Sequence, residues 1–409
     1  MLRFLTAGES HGPTLVVIVD GVPAGLDLDL HAITRDLRRR QGGYGRGKRM
    51  AIESDTAVAV AGIRRGRTTG APVALTIENR DWANWEHTMS PSATVPDEAR
   101  GARRGPVTRP RPGHADLAGA LKFGHDDMRD VLERASARET AARVAAGAIA
   151  RQILQAIGVS VASHVVAIGD VAIDADTPIP FDTIAAIAAD SPTRCADASS
   201  EAAMIAAIDA ARVAGDTIGG SYEVVAHGVP PGLGTYGQWD ARLDGRLAQA
   251  IMSIPAIKAV GFGLGAESAR LPGSRVHDEI LPRDAGAPGA VPWPVERPTN
   301  HAGGLEGGVS NGEDIRLTAA MKPIATLMKP LRSVDLATRK PASAAIERSD
   351  VCAVPAAAVI GEAMVAFVLA QACLERFGGD TIEDLRRNYA AWMERTRGRF
   401  AGRSGTEPS

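Results

Sequence analysis

Two long alanine-rich stretches constrain the fold more than any other feature of this chain. One follows Glu133-Arg134-Ala135-Ser136-Ala137-Arg138-Glu139-Thr140 and runs to Gly158; the other covers residues 354–374. Both are too long for strands and read as helices. The second is the most apolar long segment in the sequence, yet it carries Glu362 and Gln371. A buried helix explains it better than a membrane span. Aromatic residues make up only 4 % of the chain, so the core has to be built from Ala, Val, Leu and Ile. Helices faced with alanine can pack closely.

The remaining elements follow from local pattern. Residues 14–20 (TLVVIVD) read as a buried strand closed by Gly21-Val22-Pro23. Further strands are expected at 57–63, 73–78, 159–168, 221–228, 257–263 and 314–322, and helices at 30–40, 201–214 and 243–254. Residues 79–113 and 282–299 read as long loops, 303–308 as a glycine-rich turn, and 329–342 as a basic loop. Strands and helices do not alternate regularly, which favours an α+β fold over a doubly wound sheet. No linker divides the chain, so one catalytic domain is expected over residues 1–396, with a polar, disordered tail at 397–409. Glu133-Arg134-Ala135-Ser136 and Glu347-Arg348-Ser349-Asp350 each precede an alanine-rich helix, a hint of internal duplication.

Composition narrows the functional classes. Hydrophobic content of 45 % and charged content of 23 % suit a soluble globular protein. A formal net charge of −2 argues against bulk nucleic-acid affinity, although arginines cluster locally at Arg38-Arg39-Arg40 and Arg103-Arg104. Cys195, Cys352 and Cys373 are far apart and suggest neither a disulfide framework nor a zinc site, which fits a reducing cytoplasm. The N-terminus shows no basic region followed by an apolar run, so no signal peptide is expected.

Several segments could carry chemistry. Ser136 and Glu139 have capping-box spacing, and a helix start flanked by Arg134 and Arg138 suits a phosphate or carboxylate. The same pattern also describes an ordinary capped helix with solvated arginines. Residues 40–49 combine glycine with Arg40, Arg46 and Arg49, as phosphate sites do, but lack P-loop or Rossmann order. They also read as a solvated or RNA-binding loop, though few aromatics interleave for stacking. His11 and His114 sit beside glycines, where a ligand can approach and a proton can be donated near neutral pH. Both read equally as surface-loop histidines. Neither has metal-ligand spacing, so no metal is expected. Asp350 reads as a helix cap, and the segment from Lys322 to Thr326 as a strand-to-loop corner.

Taken together, these segments resemble the chorismate synthase family. The resemblance rests on Gly8-Glu9-Ser10-His11-Gly12, Arg39-Arg40-Gln41-Gly42-Gly43-Tyr44-Gly45-Arg46-Gly47 and Arg111-Pro112-Gly113-His114-Ala115-Asp116-Leu117. It continues through residues 133–140, Asn300-His301-Ala302-Gly303-Gly304, residues 307–313, Lys322-Pro323 and Arg348-Ser349-Asp350, in the family's order.

The resemblance implies an α+β protein with antiparallel sheets packed against a helical core, usually a homotetramer. It implies a cytoplasmic carbon–oxygen lyase of the shikimate pathway, leading to the aromatic amino acids. The substrate would be 5-enolpyruvylshikimate 3-phosphate, converted to chorismate by 1,4-anti elimination of phosphate. Reduced FMN would be needed although no net redox change occurs, with NADPH as a reductant; no nucleic acid or membrane partner is implied. By the same matching, His11 and His114 are acids and Asp350 a base acting through flavin N5. FMN contacts fall at Arg134, Ala135, Ser136, Pro255, Ala256, Gly307, Lys322, Pro323, Ile324, Ala325, Thr326 and Arg348. Arg40 and Arg46 match NADPH positions, which could equally serve the substrate phosphate, and Arg49 and Arg138 are expected on the substrate. An ordinary flavin oxidoreductase and an arginine-loop nucleic-acid binder remain as alternatives.

Overall fold

The structure is a computed structural model and describes residues 1–47, 54–92, 105–174, 178–282, 295–347 and 349–401. The first half forms β1 (Arg3–Ala7), β2 (Thr14–Asp20), α1 (Leu30–Gln41), β3 (Ala57–Ala61), β4 (Val73–Glu78), α2 (Asp116–Phe123) and α3 (Thr140–Gln155). The second forms β5 (Ser160–Ile168), α4 (Ala198–Ala214), β6 (Gly220–His227), α5 (Leu243–Met252), β7 (Ile257–Phe262), β8 (Ile315–Met321) and α6 (Val354–Phe377). A last helix, α7, spans Ile382–Ala401.

β1 to β4 make one antiparallel sheet in the order β1-β2-β4-β3. β5 to β8 make a second antiparallel sheet in the order β7-β8-β6-β5, extended at its edge by Val171–Ala172. The two halves repeat one topology. Antiparallel neighbours β1 and β2 correspond to β5 and β6, α1 to α5, β3 and β4 to β7 and β8, and α3 to α6. The β3–β4 and β7–β8 pairs each carry a register shift, between Ala59 and Ala61 and between Ile257 and Ala259. The duplication hinted at by two short motifs is therefore present in the strand order.

α3 and α6 lie between the sheets. They pack on each other more extensively than any other pair of elements, with α3 also on β2 and α6 on β5 and β6. Alanine explains the closeness: Ala141, Ala142, Ala145, Ala146, Ala148 and Ala150 of α3 are all buried, as are Ala357, Ala358, Ala363, Ala366 and Ala370 of α6. α6 is long and apolar enough to cross a membrane, but 89 % of its most apolar window is buried inside the protein. Its apolar surface is spent on the core, as the sequence led us to expect.

One charge sits inside that core. Glu362 of α6 is fully buried and bonds Arg39 of α1 at 2.7 and 2.8 Å, Arg151 of α3, Arg194 at 3.4 Å and Ser163 at 2.6 Å. Burial pushes its carboxyl up, but the Arg39, Arg151 and Arg194 charges outweigh that and hold it well below the usual range.

Other expectations need adjustment. Ser136 caps a 3₁₀ turn, Ala137–Glu139, through the Arg138 N–H at 3.3 Å, and α3 begins only at Thr140. Glu139 pairs with Arg143 at 2.9 Å, so the capping box is half used. α4 starts at Ala198, ahead of the expected Glu201, because the Asp197 carboxylate accepts from the N–H groups of Ser199 and Ser200. The expected basic loop at 329–342 is largely a hairpin, Arg332–Asp335 against Lys340–Ser343. α7 carries helix as far as Ala401, through the start of the expected tail; residues 402–409 lie outside the described residues.

Candidate active site

The sandwich brings the ends of α1, β4 and β8 and the starts of α3 and α6 to one side of the molecule. Four segments meet there. In the first, His11 lies between β1 and β2. Its main-chain N–H donates to Glu133 Oε2 at 2.9 Å, and its Nδ1 lies 2.9 Å from the same carboxylate. The ring stacks on Trp85, centroids 3.6 Å apart at 21°. Ser10 joins this edge to α3: its N–H donates to the Glu133 carbonyl at 3.0 Å, and its hydroxyl accepts from Ser136 Oγ at 3.2 Å. Arg134 donates to the carbonyls of Gly8 and Thr6 and to Thr6 Oγ1, holding the end of β1.

The second segment is the arginine loop after α1. Arg40 is buried and donates to Thr140 Oγ1 at 2.9 Å and the Ala137 carbonyl at 2.8 Å. Burial pulls its guanidinium down to about 9, with Asp55 opposing and Arg138 and Arg46 adding to the shift. Arg138 spends its donors on Asp55 (2.6 Å), Asn79 Oδ1 (2.9 Å) and the Glu78 carbonyl (3.4 Å). Its position in this structure is that of a strut between α3 and the first sheet. Arg49 lies outside the described residues.

The third segment precedes α6. Asp350 Oδ1 accepts from the Gly47 N–H at 2.7 Å, and Oδ2 lies 2.7 Å from Arg46. Val351 donates to the Gly45 carbonyl at 2.8 Å, which locks the two loops together. Gly45 is required there: φ is +87°, and a Cβ would meet Ile208 at 2.9 Å. Arg348 lies outside the described residues.

The fourth segment joins the His114 loop to the end of β8. His114 Nδ1 is 2.6 Å from Asp116 Oδ1. Arg111 donates to Asp116 Oδ2 at 2.8 Å and to Thr326 Oγ1 at 3.0 Å. Burial pushes the Asp116 carboxyl up, but its bonds to His114 and Arg111 win and hold it well below the carboxylate range. Gly113 rests on the same corner, since a Cβ there would lie 3.6 Å from Lys322 Nζ and 3.7 Å from Ala325. Thr217 donates to the Ile324 carbonyl at 2.7 Å and Ile218 to the Val351 carbonyl at 2.9 Å, tying this corner to the Asp350 segment. Lys322 N–H donates to the Ala256 carbonyl at 3.0 Å, and Ala256 holds φ +69° at the bend after Pro255. Burial, aided by Lys258, lowers the Lys322 ammonium.

Among the described residues, Gly307 stands apart. It turns between Leu305–Glu306 and Val309–Ser310, where the Gly308 carbonyl accepts from Leu243 at the start of α5. Pro255 and Ala256 follow the other end of that ten-residue helix, which puts about 15 Å between the two places.

Sequence reasoning quoted Glu133, Arg111 and Asp116 without giving them roles, and it passed over Trp85, Asp55 and Asn79. Asp116, two residues after His114, was the one readable signal. The others meet the site only through the fold.

A family model described as chorismate synthase matches residues 2–374. The chain belongs to the chorismate synthase family. It is 56 % identical over 403 residues to the chorismate synthase of Desulforudis audaxviator, covering 98 % of this chain and 100 % of that one. The Moorella thermoacetica chorismate synthase is 58 % identical over 394 residues, covering 96 % and 99 %. A crystal structure of chorismate synthase superposes with a TM-score of 0.76 at 39 % identity, covering 97 % of this chain and 98 % of that one. The chain is thus a carbon–oxygen lyase of aromatic amino acid biosynthesis with an α+β fold.

Proposed function

We propose that this protein eliminates phosphate from 5-enolpyruvylshikimate 3-phosphate in a 1,4-anti sense, with reduced FMN bound and no net redox change. The observation that carries this reading is the gathering at one end of the sandwich of His11, His114, the Arg46–Asp350 pair and Lys322. In the reaction, the C3–O bond breaks with its electron pair going to phosphate. The C6 hydrogen leaves as a proton, and its bonding electrons enter the new diene.

The residues present fit an anionic cofactor and an anionic substrate. Lys322 is half-buried beside Lys258, and its ammonium donates to the Pro323 carbonyl at 3.4 Å. Such a cation gains from an incoming phosphate. Arg134 is exposed and, among the described residues, bonded to neutral oxygens, so its charge suits an incoming anion. Bound reduced FMN would lend electron density to the substrate as the C3–O bond breaks and would recover it afterwards. Ser136, Ala135 and residues 322–326 are the residues that would hold it. One histidine holds a proton for the leaving phosphate. Asp350, fixed by Arg46 and the Gly47 N–H, takes up the proton lost from the substrate.

Arg40 and Arg46 are bonded beside the start of α3 and Asp350, which supports a part in the electrostatics of the site; NADPH as reductant would approach from their side. The homotetramer belongs to the same reading. Leu5, Ile18, Val58 and Val60 project from the outer face of the first sheet, an apolar surface suited to another copy. Assembly would also let Gly307 of one copy reach the pocket of another. Three free, buried cysteines fit a cytoplasmic location.

The test is anaerobic incubation of the protein with reduced FMN and 5-enolpyruvylshikimate 3-phosphate. Inorganic phosphate and the ultraviolet absorption of chorismate should appear together. A folded preparation that releases no phosphate would overturn the reading.

A further inference from the structure

His11 and His114 come from different loops, yet both are anchored through Nδ1. Each anchoring carboxylate is buried, Glu133 at 1 % exposure and Asp116 at 0 %. Each also faces a guanidinium: Arg129 lies 3.5 Å from Glu133, and Arg111 lies 2.8 Å from Asp116. Glu133 further accepts the His11 main-chain N–H, and Asp116 accepts that of Arg111 at 3.1 Å. Both carboxylates therefore act as acceptors, and an acceptor opposite an imidazole nitrogen assigns the proton to that nitrogen.

The rings have little freedom to escape this arrangement. Trp85 covers one face of His11 and is itself pinned by its Nε1–H to Asp81 at 3.0 Å. His114 is held by Asp116, which Arg111 clamps with both Nε and Nη2; Arg111 Nη2 also lies 3.0 Å from His114 Nδ1, but the Asp116 carboxylate is nearer at 2.6 Å, so the closer acceptor decides the ring proton.

We propose that Glu133 and Asp116 are positioning residues that fix both site histidines as Nδ1–H tautomers, leaving Nε2 as the atom that exchanges a proton. The inference rests on the reading of His11 and His114 as proton donors. A carboxylate behind the ring orients it and stabilises its charged form, as second-layer partners do for histidines elsewhere. The carboxylates are buried behind the rings, so their effect passes through the imidazoles.

Long-range proton–nitrogen NMR of the ligand-free, ¹⁵N-labelled full chain reads the tautomer directly. Rings are assigned with His11→Asn and His114→Asn, at a pH where the imidazoles are neutral. Both rings should carry hydrogen on Nδ1 and a bare Nε2. Glu133→Gln should move the His11 ring toward Nε2–H and leave His114 alone, and Asp116→Asn should do the reverse. Each should lower kcat by roughly 10²-fold while KM stays within about threefold, the size of effect expected for disturbed general acid catalysis. A wild-type ring with hydrogen on Nε2 would overturn the proposal, even if neither variant folds. A tautomer change with kcat intact would also overturn it. The spectrum needs no substrate, so an enzyme that failed to release phosphate would sink the proposed reaction and still leave the anchoring testable.

Discussion

Gly147 of α3 and Ala363 of α6 meet so closely that a methyl group on Gly147 would fall 2.4 Å from the Ala363 Cβ and 2.5 Å from its Cα and carbonyl oxygen. This is the crossing point of the helical layer. In an open helix, Gly→Ala stabilises by about 1 kcal/mol. Here backbone stands in the way, so Gly147→Ala should instead destabilise by about 1–3 kcal/mol, as overpacked cores do. Chemical denaturation would show a lower midpoint; a higher one would contradict the packing described.

Glu362 offers a test of charge. Removing it by Glu362→Ala leaves Arg39, Arg151 and Arg194 crowded without their shared carboxylate, a loss of about 3–5 kcal/mol for a broken buried pair. The pH dependence follows from the sign of the shift. A carboxylate held below its unfolded value of 4.5 stabilises the fold fully above that pH and progressively less below it. Thermal melts of the wild type should therefore fall as pH drops below 4.5, and the fall should be shallower in Glu362→Gln. Parallel curves would remove Glu362 from the acid response.

Lys322 should tune anion binding. Its ammonium is lowered from 10.5, so charge is lost at a milder alkaline pH than for an exposed lysine. A bound phosphate group would favour the charged form, which makes binding weaken as pH rises through that range. Lys322→Met should reduce FMN affinity by about tenfold, the loss of one charge-assisted contact worth roughly 1.4 kcal/mol. Fluorescence titration checks both, and an affinity indifferent to pH and to the substitution would place the phosphate elsewhere.

Asp350→Asn keeps an acceptor for the Gly47 N–H but removes the negative charge opposite Arg46. If Asp350 takes up the substrate proton, kcat should drop by about 10²-fold or more with the fold intact. Circular dichroism and steady-state kinetics on the same preparation decide this, and turnover close to wild type would retire Asp350 as the base.

Much of the fold was legible because the core strands and helices follow period and composition. Residues 14–20 and 73–78 were read with the boundaries β2 and β4 have, and Val354 was read as the start of α6. β1 was missed because its five residues alternate exposed and half-buried positions, a weak signal next to TLVVIVD. α7 was missed because charged residues dominate its sequence, although Ile382, Leu385, Tyr389 and Trp392 form a narrow apolar stripe that packs on the core. The hairpin within 332–343 reads as loop because its strands carry Arg, Asp, Lys and Pro. At the site, His11 and His114 stood out through neighbouring glycines. Glu133, Trp85 and Asp55 did not, because their partners lie 122, 74 and 83 residues away, reached only through the sandwich. Arg138, whose motif suggested an anion site, also ties α3 to the first sheet through Asp55, Asn79 and Glu78, a role its motif does not reveal.

The central claim is that flavin is used and returned. Counting products per flavin under strict anaerobiosis addresses it, with FMN reduced once at the start and no further reductant added. The account predicts many phosphates released for each FMN, with the flavin still reduced when substrate runs out. One phosphate or fewer per flavin, with oxidised FMN accumulating in step, would contradict it and point to an ordinary oxidoreductase.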